Sequence, residues 1–301
     1  ALPDIPQFYV DALSFASDRH GDSRLDVYVE VPYDALHFMM EGGLFRSSYE
    51  ITVNLFDAKE HLVEDKWWTE RVETKSYDES VSPTLGNLSQ RSFSLPPGQY
   101  SLVVQVKEKL TDKTLRLTRK VAVRDYSAAP FLMSDVMLVN RIDTVEGKNI
   151  VYPNISSNVG ELRSGFSMFF ETYNQSMADS MRVTLTIRNV RGDAVQQDTF
   201  MQPLASPRVS CFHRQAAGRL IAGDYLLELS AIPMAAGGVE LQGTTAAAAS
   251  RSFVVRWREM PVSITNLDLA IDQLMYVADK DNLDALKEAP AEAKRKLFGD
   301  F

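Results

Sequence analysis

Two stretches of the sequence share one pattern: "RSFSLPPGQYSLVVQVKE" (residues 91–108) and "AGRLIAGDYLLELSAIP" (residues 217–233). In each, Leu-x-x-Gly-x-Tyr leads into a run in which apolar and polar residues alternate, as in a half-buried β-strand. Gly98 and Gly223 are predicted to permit a turn backbone that a β-carbon would hinder. Tyr100 and Tyr225, at the strand entries, are predicted tyrosine corners whose hydroxyls bond back to the chain.

The repetition extends outward from these stretches. Each of the two stretches is preceded by a strand and then by a strand-turn-strand hairpin. Each is followed by one further strand. The matched segments are 23–34 with 164–174, 49–68 with 181–200, 95–106 with 220–231, and 119–125 with 251–257. Four elements in the same order indicate a tandem duplication. We therefore predict an all-β fold for most of the chain: two tandem immunoglobulin-like antiparallel β-sandwiches followed by a short C-terminal helical segment.

The predicted domains are residues 1–126 and 131–258, and "YSAAP" (126–130) is a small-residue linker between them. Residues 263–301 form the helical segment. Its apolar residues fall at three- and four-residue spacing over 267–278, a second helix is predicted at 282–288, and a third at 291–298.

The composition disfavours several classes of function and of binding site. The 301 residues carry a net charge of −8, which disfavours binding to nucleic acid and electrostatic docking on anionic membranes. No apolar run is long enough to span a bilayer. With one cysteine, Cys211, neither an intramolecular disulfide nor a cysteine-based zinc site can form. The start, "ALPDIPQFYV", resembles a mature end left by signal-peptide removal, so we expect a periplasmic, outer-membrane-associated or secreted protein.

No set of residues converges on a catalytic or metal-binding pattern. The four histidines His20, His37, His61 and His213 lie in different predicted elements without metal-ligand spacing. "VSCFHR" (209–214) is best interpreted as a strand with a buried thiol, with a Cys211–His213 catalytic pair as the alternative. The aspartates of "DRHGDSRLD" (18–26) and "DKDNLD" (279–284) fail the EF-hand pattern, and those of the second stretch suit helix capping. We predict no catalytic residue, metal or cofactor.

The adjacent tryptophans of "KWWTE" (66–70) are the candidate binding surface. Trp67 and Trp68 must face opposite sides of a strand, so one is predicted in the core and the other exposed or in an interface. An exposed tryptophan could stack on a sugar or anchor a protein partner. In the second copy "KWW" aligns with "DTF" (198–200), which indicates a structural role for at least one of the rings.

The C-terminal segment (263–301) carries a motif that resembles one of a known family. Ala270, Ile271, Gln273, Leu274, Tyr276 and Ala278 match a helical motif of the form A-I-x-Q-L-x-Y-I-A, and Leu286, Ala289, Lys296, Phe298 and Phe301 match its approach to an aromatic pair. After two sandwiches with Gly-x-Tyr strands, this resembles the GWxTD-domain proteins, exported proteins of Bacteroidetes and related bacteria. The Gly-Trp-x-Thr-Asp segment itself does not occur in these 301 residues. The resemblance implies a cell-envelope location and supplies no catalytic residues.

Three functions follow as hypotheses. The first is a non-enzymatic cell-envelope protein whose sandwiches serve as scaffold or interaction module for a protein partner. The second is a carbohydrate-binding module that uses an exposed Trp67 or Trp68. The third is an enzyme whose catalytic residues lie beyond residue 301.

Overall fold

The computed structural model describes residues 8–145, 148–160, 162, 165–216, 220–241, 243–256, 271, 280–290, 293–294 and 298. The chain divides into two compact units between Ala128 and Ala129. Each unit contains an antiparallel β-sandwich, so the prediction of a mostly all-β fold is confirmed.

The first sandwich lies before Ala128. Its strands are β1 (Tyr9–Ala16), β2 (Ser23–Pro32), β3 (Met39–Glu41), β4 (Leu44–Phe56), β5 (Leu62–Thr74), β6 (Gly86–Leu95), β7 (Gly98–Glu108) and β8 (Thr114–Val123). One sheet has the order β1-β2-β6, and the other the order β5-β4-β7-β8 with β3 added at the start of β4. A short 3-10 turn (Tyr33–Ala35) follows β2, and a one-turn helix, α1 (Tyr77–Ser80), follows β5.

Alternation along the strands builds the core between the two sheets. Leu25, Val27, Val29 and Val31 of β2 all pack against residues of the facing sheet, as their period of two predicts. The opposite face of β2 is not exposed to solvent as alternation alone would predict, because Asp26 and Tyr28 are buried too. The Asp26 carboxylate is compensated there by a hydrogen bond from Ser92 at 2.6 Å and by the Arg24 guanidinium at 3.2 Å.

The second sandwich lies after Ala129. Its strands are β9 (Phe131–Met133), β10 (Met137–Val145), β11 (Lys148–Pro153), β12 (Phe166–Asn174), β13 (Ser180–Asn189), β14 (Ala194–Pro203), β15 (Arg208–Gln215), β16 (Gly223–Ala235), β17 (Val239–Glu240) and β18 (Ala247–Val255). One sheet has the order β11-β10-β12-β15 with β9 beside β12, and the other the order β14-β13-β16 with β17 and β18 on β16.

Strand register makes the two sandwiches directly comparable. In the first, Ile51 pairs with Trp68 of β5 and with Val106 of β7. In the second, Val183 pairs with Phe200 of β14 and with Ala231 of β16. Since Val106 and Ala231 each lie six residues after the strand-entry tyrosine, β4, β5 and β7 correspond to β13, β14 and β16 residue for residue.

The strand-entry tyrosines make the same hydrogen bond in both copies. The Tyr100 hydroxyl donates to the Pro96 carbonyl at 2.8 Å, and the Tyr225 hydroxyl donates to the Ile221 carbonyl at 2.9 Å. Burial raises the pKa of Tyr100, with Asp22 and Asp57 acting in the same direction. Each hydroxyl therefore fixes the chain that enters the strand.

At Gly98, the predicted reason for a glycine, a turn backbone that a β-carbon would hinder, was wrong. Gly98 does not adopt a positive φ, whereas Gly223 has a φ of 158°. A β-carbon at Gly98 would meet the Tyr100 ring at 3.5 Å, an ordinary contact distance. The two glycines share a place beside the tyrosine ring rather than a turn conformation that only glycine can adopt.

Removing either tyrosine hydroxyl tests its contribution to stability. We expect Tyr100→Phe and Tyr225→Phe each to lower the free energy of unfolding by about 1 kcal/mol, because a carbonyl that accepted a hydrogen bond loses its donor. Urea unfolding followed by circular dichroism measures the effect. Tyr152→Phe, at a partly exposed site of the second sandwich, is the matched control; equal midpoints for all three variants would contradict this role.

In the C-terminal part the structure describes a helix, α2 (Lys280–Glu288), which overlaps the predicted helix 282–288. Leu283 and Leu286 of α2 pack with Ile271 and Ala222, and Phe298 packs against them. Most of the predicted helix 267–278 and much of 291–298 lie outside the described residues. Among the described helices, none has the length and apolarity needed to cross a bilayer.

Candidate functional site

Trp68, one of the two candidate binding residues, belongs to the core. Its side chain is buried against the first sandwich's apolar cluster, and its indole nitrogen donates to Glu70 Oε1 at 2.8 Å and to Ser89 Oγ at 3.3 Å. The Arg91 guanidinium lies 4.3 Å from the ring centroid. Because Ser89 and Arg91 are on β6, the ring joins the two sheets at their edge. The corresponding Phe200 of β14 stacks on His213 of β15 at 4.0 Å.

Trp67 faces the other way and is 67% exposed. It lies on β5, which pairs with β4 alone among the described strands and is therefore an edge strand. In register beside it stand Thr52 of β4, Gln105 of β7 and Arg116 of β8. Trp67 is thus a single exposed aromatic ring on a polar sheet face, and its equivalent in the second sandwich is Thr199.

Three connections meet at one end of the first sandwich, which we call the loop end. They are residues 33–43 between β2 and β4, residues 75–85 between β5 and β6, and the β7–β8 turn at 109–113. The Tyr33 amide donates to the Leu85 carbonyl at 2.9 Å, which ties the first connection to the second. In the second sandwich the first two connections are shorter, at 175–179 and 204–207.

The loop end carries large apolar side chains that are exposed to solvent. They are Met39, Met40, Tyr77, Val81, Leu85 and Leu110. Met40 (68% exposed) lies opposite Phe45 in the β3–β4 hairpin, and the Phe45 ring lies 6.0 Å from the Tyr77 ring (63% exposed). An exposed apolar cluster of this kind is typical of an interaction site.

The hairpin that presents the methionines has a tight two-residue turn. Glu41 and Leu44 form its closing pair, and Gly42 and Gly43 have φ angles of 59° and 81°. Both angles lie in the left-handed region that favours glycine, as in a type I′ turn. The turn thus places Met40 and Phe45 side by side at the loop end.

Glu108 anchors the loop end to the body of the sandwich. Its buried carboxylate accepts hydrogen bonds from the His37 amide at 2.5 Å and from the Thr111 hydroxyl, and His37 Nδ1 lies 2.9 Å from Oε2. Burial by itself would raise the pKa of Glu108, but the bonds from Thr111 and His37 outweigh it and hold that pKa below its ordinary value. This one carboxylate connects residues 33–43 to the β7–β8 turn.

Glu108→Gln should therefore destabilise the protein in a pH-dependent way. Because the folded-state pKa is lowered, the stabilisation is present above the ordinary glutamate pKa and is lost as the pH falls through the folded value. At pH 7 we expect the substitution to cost about 1–3 kcal/mol, and the gap to wild type should narrow in acid. Urea midpoints measured across this pH range check the effect. Glu50→Gln, on a half-buried residue of β4, is the control; a gap that does not change with pH would contradict the mechanism.

The other residues singled out from the sequence are not brought together. Cys211 is buried in the second core, where burial raises the pKa of its thiol to about 11, the reverse of what a nucleophile needs. His61 lies beside Asp57 at 3.3 Å and His213 stacks on Phe200. Within the described part of the chain, no group of three or more histidine, cysteine, aspartate or glutamate side chains could hold a metal ion.

Sequence reasoning identified the tryptophans but missed the loop end. The signal was "FMMEGGLF" (38–45), in which apolar residues flank a Gly-Gly turn. The apolar flank before the glycines, Phe38–Met40, is too short to form a core strand, and that mismatch was the available clue to exposure.

No protein-family model and no curated protein sequence matches the chain. Among solved structures, the chain is similar to Bacteroides uniformis beta-glucuronidase 2 covalently bound to cyclophellitol-6-carboxylate aziridine, with 8% identity and a TM-score of 0.26 over 78% of this chain and 26% of that one. It is also similar to dimeric latent PorU from Porphyromonas gingivalis, with 13% identity and a TM-score of 0.28 over 84% of this chain and 21% of that one. The chain spans about a quarter of the length of these proteins.

Proposed function

We propose that this chain is a non-enzymatic binding protein of the bacterial cell envelope, and that the loop end of its first sandwich contacts a protein partner. The observation that carries the proposal is an apolar strip at the loop end, in which the exposed side chains of Met40 and Tyr77 flank the half-buried Phe45. Water-exposed apolar surface is costly unless a partner covers it. Tyrosine is enriched among the residues that dominate binding energy, and methionine adapts to the surface that it meets.

The preference for a protein partner rests on the chemistry of the loop end. Sugars bind through stacking and many hydrogen bonds, whereas this strip offers one flexible methionine and two tilted rings. Loops at the end of a rigid sandwich are a frequent place for protein recognition. The envelope location, periplasmic, outer-membrane-associated or secreted, rests on the resemblance to GWxTD-domain proteins.

A capture experiment with matched variants tests the proposal. The 301-residue protein would be immobilised and exposed to envelope extract from a bacterium of the Bacteroidetes, beside the double variant Met40→Ser, Tyr77→Ser. The control is Met177→Ser with Val239→Ser, which removes two exposed apolar side chains from the second sandwich. We expect a protein retained by wild type and control and lost by the loop-end variant. Equal retention by all three would overturn the loop end as the site.

A second candidate, glycan binding, is favoured by the surroundings of Trp67. Hydrogen-bonding side chains lie near the ring on the same sheet face. Thr52 pairs with Trp67 and with Gln105, and Asp65, two residues before Trp67 on β5, pairs with Asn54. A flat ring with adjacent polar groups is the arrangement that binds the apolar face and hydroxyls of a sugar. Isothermal titration calorimetry with a panel of polysaccharides tests it. Binding that Trp67→Phe keeps in part and Trp67→Ala abolishes would support it, and no binding of any glycan would end it.

A further inference from the structure

The loop end carries more exposed acidic than basic side chains. Its three connections (33–43, 75–85 and 109–113) hold five exposed acids and three exposed lysines, a formal charge of −2: Asp34, Glu41, Asp78, Glu79 and Asp112 against Lys75, Lys109 and Lys113. Of these acids, Glu41 lies on the face of the β3–β4 hairpin opposite to Met40 and Phe45.

Two acids lie next to Tyr77, the exposed ring of the strip: Asp78 and Glu79 follow it on α1. The helix α1 also contacts the 3-10 turn that carries Asp34. A partner that covers the strip must therefore approach these carboxylates.

The nearby arginine is already engaged within the protein. Arg46 Nε lies 3.1 Å from Glu73 Oε1, and Arg46 Nη1 lies 3.7 Å from Glu41 Oε2. Its charge is thus held between two carboxylates. Asp34 and Asp78, by contrast, are exposed carboxylates beside the strip.

From this combination we infer that the partner's contacting segment is amphipathic and basic: apolar side chains cover Met40, Phe45 and Tyr77, while lysine or arginine side chains reach Asp34 and Asp78. The inference rests on the proposed function and names the chemistry of its partner. Opposite charges around an apolar centre steer encounter and suppress acidic competitors. Methionine side chains suit such a segment because they repack around different apolar groups. A short segment of this kind can bind as a helix that lays its apolar face on the strip.

Three synthetic peptides provide the test, with the full 301-residue protein as receptor. The first peptide is a lysine- and leucine-containing amphipathic helix, the second carries glutamate in place of lysine, and the third carries serine in place of leucine. Affinities would be measured by fluorescence anisotropy of the labelled peptides at low and at high salt. We expect the first peptide to bind at least about tenfold more tightly than either of the others, and its binding to weaken with salt.

Protein variants separate a specific site from general attraction to an acidic protein. Met40→Ser with Tyr77→Ser should weaken the basic amphipathic peptide by about tenfold. Asp34→Asn with Asp78→Asn should weaken it severalfold and reduce its salt dependence. The matched control is Asp65→Asn with Asp193→Asn, which removes the same charge from exposed sites elsewhere and should leave the affinity unchanged.

Several outcomes would overturn the inference. The glutamate peptide binding the loop end as tightly as the lysine peptide would refute the charge preference while leaving the proposed function intact. If the lysine peptide binds the Met40→Ser, Tyr77→Ser variant as tightly as wild type, its binding reflects general electrostatic attraction only. If no peptide binds while the envelope partner is still captured through the loop end, the inference fails and the proposed function stands.

Discussion

Trp68→Ala is expected to lower the free energy of unfolding by about 3–5 kcal/mol, because it removes a large buried ring and leaves a cavity between the two sheets. The loss includes the bond from the indole nitrogen to Glu70 and the contact of Arg91 with the ring. Trp67→Ala, one residue away, should change stability by no more than about 0.5 kcal/mol, because its side chain is largely in solvent.

Urea unfolding followed by far-ultraviolet circular dichroism measures both variants without relying on tryptophan emission. Trp68→Phe serves as an intermediate case, since it keeps a ring in the core but loses the indole donor. We expect the order of stability wild type, Trp68→Phe, Trp68→Ala. Comparable destabilisation by the two alanine variants would contradict the assignment of Trp68 to the core and of Trp67 to the surface.

The second large effect is expected at Gly160. A β-carbon there would lie 2.0 Å from the Arg256 carbonyl oxygen and 2.6 Å from the Arg256 nitrogen, both of which are backbone atoms. The chain approaches so closely because the Val159 amide donates to the Val254 carbonyl at 2.9 Å, while Asn158 Oδ1 accepts from the Arg256 amide at 3.0 Å. The segment cannot move away without breaking these bonds.

Gly160→Ala should therefore destabilise the protein by about 3 kcal/mol, at the upper end of the usual overpacking effect. Gly98→Ala is the matched control, because its β-carbon would meet only the Tyr100 ring at 3.5 Å. We expect that control to stay within about 1 kcal/mol of wild type. Thermal unfolding of the two variants distinguishes them, and similar melting temperatures would mean that the segment beside β18 shifts to accommodate a methyl group.

Much of the fold was predictable because it depends on local patterns. Alternation along residues 24–31 and 49–55 indicates strands since a residue's face in a strand depends on its position alone. The hydrogen bonds of Tyr100 and Tyr225 reach only four residues back along the chain. Features that depend on residues this close in the chain can be predicted from short stretches of sequence.

The candidate sites were less predictable, for a physical reason. Alternation requires that Trp67 and Trp68 face opposite sides, but the choice between them depends on which side meets β6, a strand about twenty residues further along. The loop end brings together side chains from residues 33–43 and 75–85, whose proximity arises only when the two sheets close on each other.

Gly98 and Gly160 show the same division between sequence and structure. Gly98 stands in a repeated motif, so the sequence drew attention to it, yet its surroundings tolerate a β-carbon. Gly160 stands in no motif, and its requirement for glycine comes from Arg256, nearly one hundred residues away. The sequence by itself determined the strands, their repeated order and the strand-entry tyrosines, because these depend on periodicity and short-range bonds. Only the tertiary structure decided which tryptophan is buried, which glycine is essential and where apolar side chains remain exposed, because each depends on distant parts of the chain that packing brings together.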